Sequence, residues 1–64
     1  MRRYILVQYM HGQQGRDLAN VSGTFDHIKQ AQNFSEHRIK DVNEIIDTHV
    51  WKVVWRLNRT INVD

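Results

Sequence analysis

Residues 4–10 read YILVQYM and are apolar on both of the alternating sets that a strand presents. Ile5, Val7 and Tyr9 form one set, and Tyr4, Leu6 and Met10 form the other. Successive strand side chains point to opposite faces, so such a run has to be covered on both sides. That requirement predicts a central strand. The chain has 64 residues and no cysteine. A domain this small buries only about 60% of the surface its unfolded chain exposes, and no disulfide can brace it. A single domain over residues 1–64 is expected, with nearly every large apolar side chain committed to one core.

The glycines Gly12, Gly15 and Gly23 all fall in the first third of the sequence. Two of them mark HGQQGRD (11–17) as a loop. LANVSGTF (18–25) predicts a second, shorter strand, where Gly23 indicates a bulge or an edge position. Over DHIKQAQNFSEHRIK (26–40), a turn of about 100° per residue places Ile28, Ala31, Ser35 and Ile39 on one face, with Phe34 at its margin. This spacing predicts an amphipathic helix with Asp26 as its N-cap. Val42 and Ile46 continue the same stripe, so one helix over 26–47 is the alternative to a break near Asp41 followed by a strand VNEIID. The break is the preferred reading.

A hairpin turning at Asp47-Thr48-His49-Val50 pairs Ile46 with Trp51 and Val42 with Trp55. In that register Val42, Ile46, Trp51, Val53, Trp55 and Leu57 face the core, and Lys52, Val54 and Arg56 face away. No glycine supports the turn. The expected fold class is α+β. A small, mainly antiparallel sheet of three to four strands carries one amphipathic helix on one face, in the order β-β-α-β-β. Strand order 2-1-3-4 makes the first strand central.

The segment GTFDHIKQAQNFSEHRIKDVNEIIDTHVWKVVW resembles a recurring pattern in short bacteriophage proteins. In that pattern a strand ending in TFD leads into a helix with A-x-x-F/A and then into an EIIDT…VVW hairpin. About half of the chain is covered. The sequence departs from the pattern at His27, where a small capping residue is common, and at HVW, where the hairpin usually has a glycine. The resemblance implies a small α+β protein of the host-takeover or anti-defence inhibitor type, and it transfers no particular residue.

No segment approaches the ~20 consecutive apolar residues of a membrane span, so no membrane partner is expected. The basic start MRR precedes a short apolar run, but Gln8 interrupts it and no small-residue cleavage site follows, so it reads as a strand. The lack of cysteine fits a reducing cytoplasm, which the resemblance implies is that of a bacterial host. The histidines, His11, His27, His37 and His49, lack the i, i+4 spacing of a helical metal site, and neither metal nor cofactor is expected. The loop lacks the lysine and Ser/Thr of a phosphate loop. Ser22, Ser35, His37 and Asp41 form no nucleophile motif, so an enzyme is not expected.

The resemblance implies a host protein as the expected partner. Gln13, Gln14 and Arg16 in the loop, with Lys52, Arg56 and Arg59 near the C-terminus, are the expected contact residues. Arginine is enriched at interface hot spots because its planar fork binds carboxylates at two points. The alternative is nucleic acid, held by a patch of Arg2, Arg3, Arg56 and Arg59 if the first and last strands lie close together. A formal net charge of +2 gives that alternative little weight, since interspersed acids dilute the field. A homo-oligomeric structural module is the third reading.

Overall fold

The two-faced run near the start of the chain does become an inner strand. The computed structural model describes residues 2–13, 15 and 17–59. In chain order these form β1 (Tyr4–Tyr9), a 3-10 turn (Leu18–Asn20), β2 (Val21–Phe25), α1 (Ile28–His37), β3 (Val42–Asp47) and β4 (Lys52–Asn58). The strands make one four-stranded sheet in the order β2-β1-β3-β4, and every neighbouring pair is antiparallel. Leu6 and Val7, on opposite faces of β1, are 0% and 2% exposed. Among the described residues no helix is long and apolar enough to cross a membrane.

The helix lies on one face of this sheet. Leu6, Ala31 and Ile45 form the centre of the core, and Tyr4, Phe25, Ile28, Phe34 and Trp55 pack around it. The Phe25 and Phe34 rings meet at 5.6 Å between centroids, within the range of a favourable tilted aromatic contact. The helix is shorter than its sequence stripe suggests. Its N-cap is His27, one residue past the expected Asp26. The Gln30 side chain reaches back to accept the His27 amide at 3.2 Å. At the other end the Arg38 amide donates to the carbonyls of Phe34 and Ser35. Ile39 therefore falls beyond the last turn and stands exposed, although it fits the buried stripe by spacing.

β2 is also shorter than expected. Asp17 Oδ1 accepts the Ala19 amide at 3.2 Å, and the resulting 3-10 turn takes Leu18–Asn20 out of the strand. The register shifts beside Gly23: Leu6 pairs with Gly23, but Val7 pairs with Val21, leaving Ser22 as the extra residue. This agrees with the bulge or edge position read from the sequence, because β2 is also an edge strand.

The break near Asp41 occurs, and VNEIID is a strand. The register of the hairpin differs from the expected one. Ile46 pairs with Val53 and Val42 with Asn58, not with Trp51 and Trp55. The turn closes one residue later than expected, at Asp47 and Lys52, which shifts the pairing by two residues, and a bulge adds a third. Ile45 pairs with Trp55 while Ile46 pairs with Val53, so Val54 has no opposite residue. One extra residue reverses the alternation beyond it. Trp55 and Leu57 lie on the helix side with Ile45 and Asn43. Val53 joins Ile46 and Ile5 on the face away from the helix. Trp51 leaves the strand altogether and is 69% exposed in the turn.

Replacing Ile45 by alanine should destabilise the fold by about 2–5 kcal/mol, as a buried aliphatic truncation does. Trp55→Ala should be similarly harmful. Trp51→Ala should stay within about 0.5 kcal/mol of wild type, the usual range for an exposed position. Thermal melts of the three variants check the assignment. Equal losses for Trp51 and Trp55 would contradict it.

Candidate partner-binding surface

β3 carries an unusual load for an inner strand. Asn43, Glu44 and Asp47 are buried along it, and Asp41 is buried just before it. Each carboxylate meets an arginine from a neighbouring segment. Arg3 donates to Asp47 through Nε (3.1 Å) and Nη2 (2.9 Å). Arg56, opposite Glu44 in register, donates to it through Nε at 2.9 Å and through Nη2. Arg59 donates to Asp41. In all three pairs the acid side chain is at most 8% exposed and the arginine is 44–51% exposed. Each buried carboxylate is thus capped by a guanidinium group that reaches solvent.

The bonds shift the titration of these groups. The Arg3 guanidinium holds the Asp47 carboxyl below the usual carboxylate range, and the His49 amide adds to the effect against partial desolvation. The His11 amide, bonded to Asp41 Oδ2 at 3.1 Å, is the main cause of a lowered Asp41 pKa, with Arg59 contributing. Bonding to Asp47 and to Glu44 raises the pKa of Arg3 and of Arg56 respectively.

On the face away from the helix, Gly15 lies against Tyr9 of β1. The backbone at Gly15 lies so near the Tyr9 ring that a Cβ there would meet it at 3.4 Å. The Tyr9 hydroxyl in turn bonds Glu44 Oε1 at 3.2 Å. On the helix side, Gln8 Nε2 donates to Asn43 Oδ1 (2.8 Å) and to the Arg38 carbonyl (2.7 Å). Asn43 Nδ2 donates to the carbonyls of Lys40 and Leu57. These bonds fasten the segment after the helix to the middle of the sheet.

The turn between β3 and β4 is built by Asp47. Its Oδ1 accepts the His49 amide at 2.9 Å, and its carbonyl accepts the amides of Val50 and Trp51 at 3.3 and 2.7 Å. The Thr48 amide and hydroxyl both donate to the Arg3 carbonyl. Closing this turn puts Trp51 at φ 53°, a left-handed conformation that a glycine or asparagine normally takes. Val50 and Trp51 project into solvent together, 55% and 69% exposed.

The residues expected to bind a partner are dispersed by this arrangement. Lys52 opens β4 beside the turn, in register with Asp47. Arg56 lies mid-strand, and Arg59 lies past the far end against Asp41. Lys52 and Arg59 are separated by about 20 Å at strand spacing. Gln13 is exposed near that far end, where its Oε1 accepts the Met10 amide at 2.8 Å. Gln14 and Arg16 lie outside the described residues. Arg2 and Arg3 belong to the Lys52 end, so Arg2, Arg3, Arg56 and Arg59 do not form one patch.

A shallow cleft of about 200 Å³ opens between the helix and the β1–β2 edge, lined by Gln8, Ser22, Phe34, Arg38 and Lys40. It is smaller than the ~300–1,000 Å³ of typical small-molecule sites. Comparison with protein-family models, curated proteins and solved structures gave no match.

Both aspartates have depressed folded-state pKa values. Their stabilising effect should be complete above the unfolded carboxyl value of about 3.9 and should disappear as pH falls through the lower folded values. Melting temperature should change little from about pH 7 to pH 5 and drop below about pH 4. Asp47→Asn should lower stability at neutral pH and shrink the acid-induced loss. An unchanged acid limb in that variant would remove Asp47 from this account.

Proposed function

We propose that this chain is a small protein-binding inhibitor or modulator that acts by covering a surface of a larger protein. The observation that carries this reading is Trp51. The residue is 69% exposed and is held at a positive φ where no glycine relieves the backbone. A left-handed conformation costs an L-residue roughly 1–2 kcal/mol, and such strain concentrates at binding and switch positions. Tryptophan is also among the residues most enriched at interface hot spots. Val50 adds apolar area beside it. The resemblance to short bacteriophage proteins supports a host enzyme or defence protein in a bacterial cytoplasm as the target.

Nucleic acid is the second reading. Lys52 stands next to an indole that can stack a base. It is disfavoured by the pairing of Arg3, Arg56 and Arg59 with acids of the chain itself, which weakens the positive field that phosphates require.

Trp51→Gly separates stability from function. Glycine takes the left-handed turn without the Cβ penalty, although it also loosens the unfolded chain. The variant should therefore melt at or slightly above the wild-type temperature, within about 1 kcal/mol. Bound to a support and exposed to bacterial lysate, wild-type protein should retain one saturable protein partner that the folded Trp51→Gly protein loses. Retention by both proteins would refute a binding role for Trp51. Quenching of Trp51 fluorescence by a single-stranded oligonucleotide, lost on raising salt, would favour the second reading.

A further inference from the structure

We infer that the outer edge of β4 binds an extended acidic segment of a partner protein, which adds to the sheet as a fifth strand. This deepens the protein-binding reading and rests on it. Among the described residues, no strand pairs with the outer side of β4. The strand is seven residues long and contains no proline. Its hydrogen-bonding phase follows from the end of the hairpin. The Arg59 amide donates to the Asp41 carbonyl, and the pairing of Leu57 with Asn43 and Trp55 with Ile45 continues that register. In an antiparallel ladder, bonded and non-bonded positions alternate. Residues 55, 57 and 59 therefore turn their backbone groups toward β3, and Arg56 and Asn58 turn theirs outward.

The side chains along this edge specify what can pair with it. Arg56 and Asn58 lie on the face away from the helix, and half-buried Trp55 and Leu57 lie on the helix side. An added strand would meet a cation on one face and apolar area on the other. Alternating acidic and apolar residues satisfy both. Glu44 orients the guanidinium of Arg56 from below through Nε and Nη2. A guanidinium has five N–H donors, so others remain for a second carboxylate. Holding the fork in place beforehand lowers the ordering cost of binding.

A second copy of the chain fits this edge poorly. Pairing β4 with β4 would offer the remaining Arg56 donors no carboxylate, because β4 (KVVWRLN) contains no acid. Those donors favour an acidic strand over a second β4.

The test uses the full-length protein with two capped nine-residue peptides, one alternating Glu with Val and the other alternating Lys with Val. Amide NMR should show shifts and slowed hydrogen exchange at Arg56 and Asn58 with the Glu/Val peptide and none with the Lys/Val peptide. Methylating alternate peptide nitrogens should abolish the effect. No binding, an equal response to both peptides, or perturbation confined to another edge would overturn the proposal. So would concentration-dependent protection of β4 without peptide, which would identify a second copy as the occupant. A protein that retains a partner through Trp51 but gives no β4 response would keep the protein-binding reading and lose this one.

Discussion

Carboxylates at positions 41, 44 and 47 lie almost out of contact with water along an inner strand, and the rest of the molecule is arranged to accommodate them. A buried charge left without a partner is strongly destabilising. Every long-range ion pair described here answers that need. Arg3 is drawn from before β1, and Arg56 and Arg59 from the far side of the hairpin. The Tyr9 hydroxyl and the amides of His11 and His49 supply further donors. The start of the loop after β1, at His11, and the shape of the β3–β4 turn are therefore tied to these acids.

The apolar core is correspondingly small. Leu6, Ala31 and Ile45 are its fully buried members, while Gln8 and Asn43 occupy neighbouring inward positions. Their amides bond to each other and to backbone carbonyls. Such a network tolerates little displacement, because each bond fixes both distance and angle. The sheet is thus registered by directional polar contacts as much as by apolar packing. Ser35 Oγ is the exception among the described residues: it is buried without a hydrogen-bond partner.

Element order and strand order were legible in the sequence because they depend on local periodicity and on the two-faced character of residues 4–10. The register of the last hairpin was not. A regular alternation through Trp51, Val53, Trp55 and Leu57 looks like one buried face, yet the bulge at Val54 divides it between two faces. Nothing in the spacing marks a bulge that lacks a glycine. Trp51 was misplaced because the turn closes one residue later than expected, at Asp47 and Lys52. The available signal was Asp47 at the head of the turn, since aspartate side chains organise turns through amides two residues on. The contact residues Lys52, Arg56 and Arg59 were recognised as basic, but their pairing with Asp47 in register, Glu44 and Asp41 emerges only once the strands are aligned.

The position of β1 has a consequence for the order of assembly. One of its neighbours, β2, follows it closely in the chain, but the other arrives late: Tyr4 aligns with Asp47 and Tyr9 with Val42. Contacts between segments so far apart close large loops and slow folding. Until β3 docks, β1 has one unpaired backbone edge and apolar side chains on both faces, the features that promote aggregation. A nascent or truncated chain ending before residue 42 would remain in that state. Productive folding therefore depends on synthesis of β3, and β1, although it precedes the other strands described, is secured on both sides only once β3 has docked.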